Sequence, residues 1–360
     1  MPDRIRLGFI GAGFMGQIAH IANYAQLPDQ CELVAIADLR TSLAANVARR
    51  YGIAEVYPDH IALLENAKVD AIVAIMGYGH HYSVVPDILG ARKHLLTEKP
   101  MANDLRNARE WKRLADERHL VYLVGYMKRW DLGTRKVASL IREWRESGEY
   151  GALRHVSCEM SGTDWTWGHE APLSVQPEQT TAPPPPTEPF PARFSEAEAR
   201  FYNMNINFYV HQVNLLRYLI GEDYRLAYTH PAAKVLVAST DSGVSVAFEM
   251  GRHQINRTWD EVYRVSFDGA EITLCMPSPL QRQQNGEVEI RRNLVDGSHE
   301  VVTPNIGLPS WSFFEQAKGF LQCVRDGAIP FDSTGEAIRD LEIFEQQVDL
   351  MKSVGGDMRT

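Results

Sequence analysis

Between Ile5 and about Tyr126, short apolar runs alternate with segments whose apolar residues recur every three to four positions, the pattern of a parallel sheet covered on both faces by helices. The runs predict strands over 5–10, 33–38, 71–76, 94–97 and 120–124. The periodic segments predict helices near 15–25, 42–50, 60–66, 82–91 and 104–118, the last with Asn103 as its N-cap. After a helix over 134–147 the period falls to two. Segments 154–160, 234–240, 243–250, 262–269 and 270–276 are β-rich, and Asp241-Ser242-Gly243 and Asp268-Gly269 supply turns between them, which predicts a largely antiparallel open sheet. The expected class is α/β followed by α+β, with a first domain over 1–125 and a second over 126–360. Segment 171–194, with prolines throughout 183–186, can be neither helix nor central strand. It is expected as an extended surface loop inserted in the second domain, short of ladder bonds and core contacts and so bearing on ligand affinity more than on folding.

Composition narrows the function classes. With 360 residues, 44% of them hydrophobic, the chain can fill about two domain cores. A net charge of -9 with no dense Lys/Arg block attracts neither a phosphate backbone nor an anionic membrane, so neither nucleic acid nor membrane is an expected partner. The cysteines, Cys31, Cys158, Cys275 and Cys323, form no metal-binding or disulfide pattern. The chain enters its first strand without the apolar run of a signal peptide, and no later stretch approaches the ~18 apolar residues of a membrane span. A cytoplasmic location is expected.

The first strand runs into Gly11-Ala12-Gly13-Phe14-Met15-Gly16, a helix-compatible segment follows, and Asp38 ends the second strand 22 residues past Gly16. In that context a GxGxxG turn is a dinucleotide fingerprint, which makes the first domain a Rossmann domain. Gly11 permits the tight turn, Gly13 lets backbone approach the pyrophosphate, and Gly16 brings helix and strand together, with Phe14 and Met15 in the loop between. Asp38 would accept from the adenosine ribose and repel a 2′-phosphate, favouring NAD over NADP, while Arg40 softens that preference.

Chemistry also gathers in the second half. On one helix over 205–220, turning about 100° per residue, Asn207, His211, Asn214 and Tyr218 form a polar stripe on an otherwise apolar cylinder. Each buried polar group there needs a partner, since leaving it unsatisfied costs roughly 1–3 kcal/mol, and a polar cleft or bound polyol would supply one. Trp165 and Trp167 beside Asp164 and His169 suit a sugar, whose C–H faces stack on indole while its hydroxyls need acceptors. The pairs His80-His81 and His169-Glu170 lack a third ligand at metal spacing, so no metal is expected.

A further motif, Glu98-Lys99-Pro100, stands at the end of the strand over 94–97, the edge where open α/β sheets bind ligands. The N-terminal fingerprint, this motif and the β-rich second half together resemble the Gfo/Idh/MocA family, the glucose–fructose oxidoreductase and inositol dehydrogenase type. That resemblance implies an NAD(P)-dependent oxidoreductase acting by hydride transfer on a secondary hydroxyl or carbonyl of a sugar, cyclitol or glycoside. It implies that Lys99 orients substrate and nicotinamide and shares in proton transfer with His211 as the catalytic pair. It also places Met76, Gly77, His81 and Glu98 along the cofactor cleft, and Lys128 and Arg129 in contact with diphosphate or substrate. Asn207 stands where the family carries an aspartate, so a neutral hydrogen-bonding group replaces a charged one. Asn207, Arg129, Asp164, Trp165 and Trp167 are the expected substrate contacts beside Lys99 and His211. Family members commonly pair the sheet faces of their second domains, so a homo-oligomer, dimer or tetramer, is expected. Two other functions share this fold: a glycoside-cleaving enzyme that oxidises the sugar transiently and regenerates its NAD, and a non-catalytic NAD-binding regulator.

Overall fold

In the computed structural model, which describes residues 4–161, 165–166, 183–232, 234–251, 259–328, 334–356 and 358, the chain divides into two units. The first comprises the described parts of Met1–Tyr126, Glu170–Arg193 and Phe313–Leu341; the second comprises the described parts of Met127–His169, Phe194–Ser312 and Glu342–Thr360.

In the first unit the five apolar runs become β1 (Ile5–Ile10), β2 (Cys31–Ala37), β4 (Ala71–Ala74), β5 (His94–Thr97) and β6 (Tyr122–Val124), and a short strand that the pattern did not predict, β3 (Glu55–Tyr57), pairs beside β2. They pair in the order β3-β2-β1-β4-β5-β6, every pair parallel. β4 is buried along its whole length, as a strand covered on both faces must be. The strand order reverses between β1 and β4, the point where such sheets hold ligands at their carboxyl ends. The helices are α1 (Ala22–Tyr24), α2 (Thr41–Tyr51), α3 (His60–Asn66), α4 (His81–Gly90) and α5 (Leu105–Glu117). Two further details differ from the sequence reading. The helix after the glycine turn opens as a π-helical segment, Gly16–Ile21, before α1. The N-cap of α5 is Asp104, whose side chain accepts from Arg106 N at 2.8 Å; Asn103 is drawn away by a longer-range partner, since its Nδ2 donates to Glu188 O at 3.0 Å.

That partner lies in the Pro-rich segment. Residues 171–182 of the expected loop lie outside the described residues. The part from 183 to 193 is assigned to the first unit, not inserted in the second. It is also tied down, contrary to expectation: Glu188 is 3% exposed, and its carboxylate accepts from Asn103 N at 2.6 Å, Asp104 N at 3.1 Å and Asn107 Nδ2 at 2.7 Å. Glu188 N donates to Gly79 O at 2.7 Å, and Ser83 Oγ to Pro186 O at 2.9 Å. Proline forbids a ladder, but one acidic side chain supplies the acceptors that the first turn of α5 needs.

The second unit opens with α6 (Leu132–Ser147), capped by Asp131, and β7 (Leu153–Met160). It continues through α7 (Glu196–Phe208), α8 (Val210–Ile220), β8 (Tyr224–Thr229), β9 (Val235–Thr240), β10 (Ser245–Glu249), β11 (Glu261–Phe267), β12 (Ala270–Cys275), β13 (Glu287–Asn293) and β14 (His299–Val302). The sheet order is β14-β13-β12-β11-β7-β10-β9-β8. Only β7 and β10 pair parallel, so the sheet is largely antiparallel. β11 alternates buried and half-buried residues, the mark of one covered face, and α6 and α8 supply the cover. The chain then forms α9 (Ser312–Asp326) and α10 (Thr334–Ser353).

The single helix expected over 205–220 is two helices. Tyr209 breaks it with φ -104° and ψ 0°. Its hydroxyl donates to Met250 O at 2.9 Å and its ring meets the Phe248 ring edge-on at 5.6 Å, so tertiary anchoring to the end of β10 overrides the helical periodicity.

Candidate functional site

The glycine turn leaves β1 under tight steric limits. Gly11 has φ +101°, and a Cβ there would stand 1.9 Å from Ile75 O; a Cβ on Gly16 would stand 2.4 Å from Gly11 O. Neither position accepts a side chain. A Cβ on Gly13 would meet only Arg40 Nη2, at 3.5 Å, so this stretch of backbone stays open to approach. Phe14 and Met15 are half-buried behind it. Gln17, buried, donates through Nε2 to Ala12 O at 2.8 Å and braces the turn.

Both oxygens of Asp38 are engaged. Oδ1 accepts from Arg40 N at 2.8 Å and Arg40 Nε at 2.9 Å, while Oδ2 accepts from Ala12 N at 2.7 Å and Arg40 Nη2 at 2.9 Å. The carboxylate therefore locks the glycine turn to the end of β2, with the guanidinium as a bidentate partner.

At the ends of β4 and β5 stand the remaining first-unit residues. Met76 is half-buried and Gly77 exposed, ahead of α4, where His81 is fully buried. Its Nδ1 lies 3.0 Å from Met101 O, which can only accept, so Nδ1 carries the proton. Nε2 is then a buried acceptor with no hydrogen-bond partner among the described residues. Burial pushes the ring's pKa down to about 4, keeping it neutral. Glu98 accepts through Oε1 from His20 Nε2 at 2.9 Å and through Oε2 from Lys99 N at 3.2 Å. Burial raises the Glu98 carboxyl, but the His20 hydrogen bond and the charges of His20 and Lys99 outweigh it and hold the group below its ordinary value. Lys99 is half-buried. The sequence reading missed His20; its signal is a lone ionisable residue in the apolar run after Gly16.

In the second unit, Lys128 and Arg129 turn inward. Lys128 is buried against Glu261, which also accepts from Trp259 Nε1 at 3.0 Å and Tyr263 OH at 2.7 Å. Buried Arg129 donates to the Asn214 side chain and, through Nη2, to Asn214 O at 3.2 Å, with its guanidinium 5.0 Å from the centre of the Tyr218 ring. The buried part of the polar stripe thus finds a partner in Arg129, and the charges expected to meet diphosphate or substrate have internal partners. Asn207 is exposed at the end of α7, and His211 is half-buried in the first turn of α8. Trp165 is 39% exposed. Asp164, Trp167 and His169 lie outside the described residues. Among the described residues no group of three or more His, Cys, Asp or Glu is placed to hold a metal, and no helix is long and apolar enough to cross a membrane.

A parallel sheet with its strand order reversed at β1 and β4, a turn that only glycine can form at that point and an acidic residue ending β2 define a dinucleotide-binding domain. The cradle at Gly11 and Gly16 and the orphaned His81 acceptor fit such a group. Residues 5–126 match the model of the oxidoreductase family with an NAD-binding Rossmann fold. Through that region the chain is similar to the NAD-binding domain of the Gfo/Idh/MocA oxidoreductases. An inositol 2-dehydrogenase/D-chiro-inositol 3-dehydrogenase of Lacticaseibacillus casei is 33% identical over 153 residues, 41% of this chain and 42% of that protein. The chain thus spans less than half the length of this curated relative. A levoglucosan dehydrogenase in complex with NADH and levoglucosan superposes with a TM-score of 0.72 at 17% identity, covering 98% of each chain. A 3-ketoreductase from Actinomadura kijaniata in complex with NADP superposes with a TM-score of 0.68 at 19% identity, covering 95% of this chain and 96% of that one. At such identities the likeness is one of fold.

Proposed function

We propose that this chain is an NAD-dependent dehydrogenase acting on a secondary hydroxyl or carbonyl of a sugar, cyclitol or glycoside. The observation that carries the reading is Glu98-Lys99 at the end of β5, in the sheet whose β1 opens the glycine cradle. The Asp38 carboxylate supports NAD over NADP, because it would face a 2′-phosphate with like charge, while Arg40 is occupied by Asp38 through both Nε and Nη2. Gly11, Gly13 and Gly16 with Asp38 would hold the dinucleotide, and a bound nicotinamide supplies the hydride acceptor for oxidation of a carbinol.

Lys99, with three ammonium donors, orients the substrate hydroxyl and stabilises negative charge growing on its oxygen. His211 takes the hydroxyl proton at a ring nitrogen, directly or by way of Lys99, and returns it during reduction. Asn207, exposed and neutral, hydrogen-bonds a substrate hydroxyl without adding charge, and Trp165 offers an apolar face to the ring.

Incubation with NAD or NADP and a panel of cyclitols, aldoses and glycosides, followed at the NADH absorbance, tests the reading. Net reduction of NAD by at least one polyol is expected, with Lys99→Ala and His211→Ala each lowering kcat by about two to four orders of magnitude. Full activity in both variants, or no turnover across the panel, would sink it.

A further inference from the structure

We propose that His20 is a positioning residue for Lys99, acting through the Glu98 carboxylate. The inference rests on the catalytic reading of Lys99 only for its effect on turnover; the geometry is independent of it. His20 belongs to the π-helical segment Gly16–Ile21, and such wide turns frequently mark functional sites. The His20 imidazole is only 2% exposed. Its ring meets the Phe313 ring edge-on, 5.6 Å between centres, and its Nε2 lies 2.9 Å from Glu98 Oε1. An ionised carboxylate only accepts, so Nε2 donates.

The seat of Glu98 is closed from the other side by a glycine. A Cβ on Gly125 would stand 3.3 Å from Glu98 Cδ and 3.1 Å from Thr97 O, tighter than an ordinary contact, and Gly125 N donates to Thr97 O at 2.8 Å. With Oε2 accepting from Lys99 N, the carboxylate has one orientation, between the imidazole and the backbone of the lysine it precedes. Without His20 a half-buried carboxylate loses the donor that keeps it charged and aimed. Lys99 then loses an anion whose charge it shares, an interaction already evident in the depressed Glu98 carboxyl.

The test reads Lys99 without needing a substrate. The full-length protein is treated with acetic anhydride at about pH 8, where a lysine amine near its ordinary pKa is mostly protonated, and acetylation of Lys99 is followed by peptide mass spectrometry against exposed Lys112. His20→Leu, which keeps the apolar packing but removes the donor, is expected to speed acetylation of Lys99 about threefold or more, as does Glu98→Gln, because the amine loses its counter-charge. His20→Gln, whose Nε2 sits near the position of the imidazole Nε2, is expected to restore the wild-type rate. The double variant His20→Leu/Glu98→Gln is expected to match Glu98→Gln alone, since His20 acts only through that carboxylate. Glu98→Asp, which withdraws the carboxylate by one methylene and leaves the buried ring in place, gives the same rise should His20→Leu fold poorly. A wild-type rate in His20→Leu, or in Glu98→Asp in its place, would overturn the inference, as would a full additional effect of His20→Leu on the Glu98→Gln background. Retained turnover in Lys99→Ala would instead overturn the catalytic reading, leaving the labelling result to be judged by itself.

Discussion

The proposed preference for NAD over NADP rests on the contact between Asp38 and Arg40. The carboxylate that would receive a ribose already accepts four hydrogen bonds from Ala12 and Arg40, and the cation that would receive a phosphate is spent on that carboxylate. Asp38→Ala releases the guanidinium beside Gly13 and is expected to narrow the NAD preference by about tenfold, roughly 1.4 kcal/mol, whereas Arg40→Ala widens it. Calorimetric titration of both cofactors into the wild type and both variants checks this, and a wild type that binds NADP more tightly would reverse the assignment. Lys128 makes the opposite case of a charge with a structural duty. Lys128→Met would leave Glu261 buried without its cation, and a loss of about 3–5 kcal/mol is expected. Urea unfolding reads it; a loss under about 1 kcal/mol would mean that Trp259 and Tyr263 suffice to hold Glu261.

The elements whose limits departed from the sequence pattern did so for identifiable reasons. Periodicity carries helix character across 205–220, but the Tyr209 ring and hydroxyl bind β10 and split the helix, parting Asn207 from His211 and Asn214. Composition excludes regular structure from the Pro-rich segment without revealing that Glu188 closes the first turn of α5. Glu188→Ala would orphan the buried Asn103 and Asp104 amides, so a destabilisation of about 1–3 kcal/mol is expected in thermal or urea unfolding. Unchanged stability would restore the view of 183–193 as a loose loop. Asn103 suits an N-cap by residue type, yet Asp104 takes the role because Asn103 is held by Glu188.

Two buried groups of the first unit act on stability between about pH 4 and 7 with opposite signs. His81, lowered by burial from 6.5 to about 4, stays neutral when folded, so the unfolded chain binds more protons between those values. Its contribution, roughly 3 kcal/mol at 1.36 kcal/mol per pH unit, is lost as pH falls through that window. Glu188, raised by burial to about 7 from 4.5 against its three hydrogen bonds, binds its proton more readily when folded. Its contribution is present at low pH and is lost as pH rises through that range. The two slopes largely cancel between about pH 4.5 and 6.5. Glu188→Gln is expected to uncover the His81 slope, with urea stability falling markedly from about pH 6.5 to pH 4.5, where the wild type stays nearly flat. Equal slopes in both proteins would show that other groups govern the acid limb. Within the chain, local pattern was enough to determine the alternating strands and helices, the glycine turn after β1 and the acidic residue ending β2, because these follow from side-chain periodicity and from steric limits within a few residues. It was not enough to reveal that His20 reaches Glu98, Glu188 reaches Asn103, Lys128 reaches Glu261, or Arg129 takes the polar face of α8. Those partners lie 78 to 133 residues apart. Which distant donor satisfies a buried acceptor is decided by how strands and helices pack, a choice that no local spacing encodes.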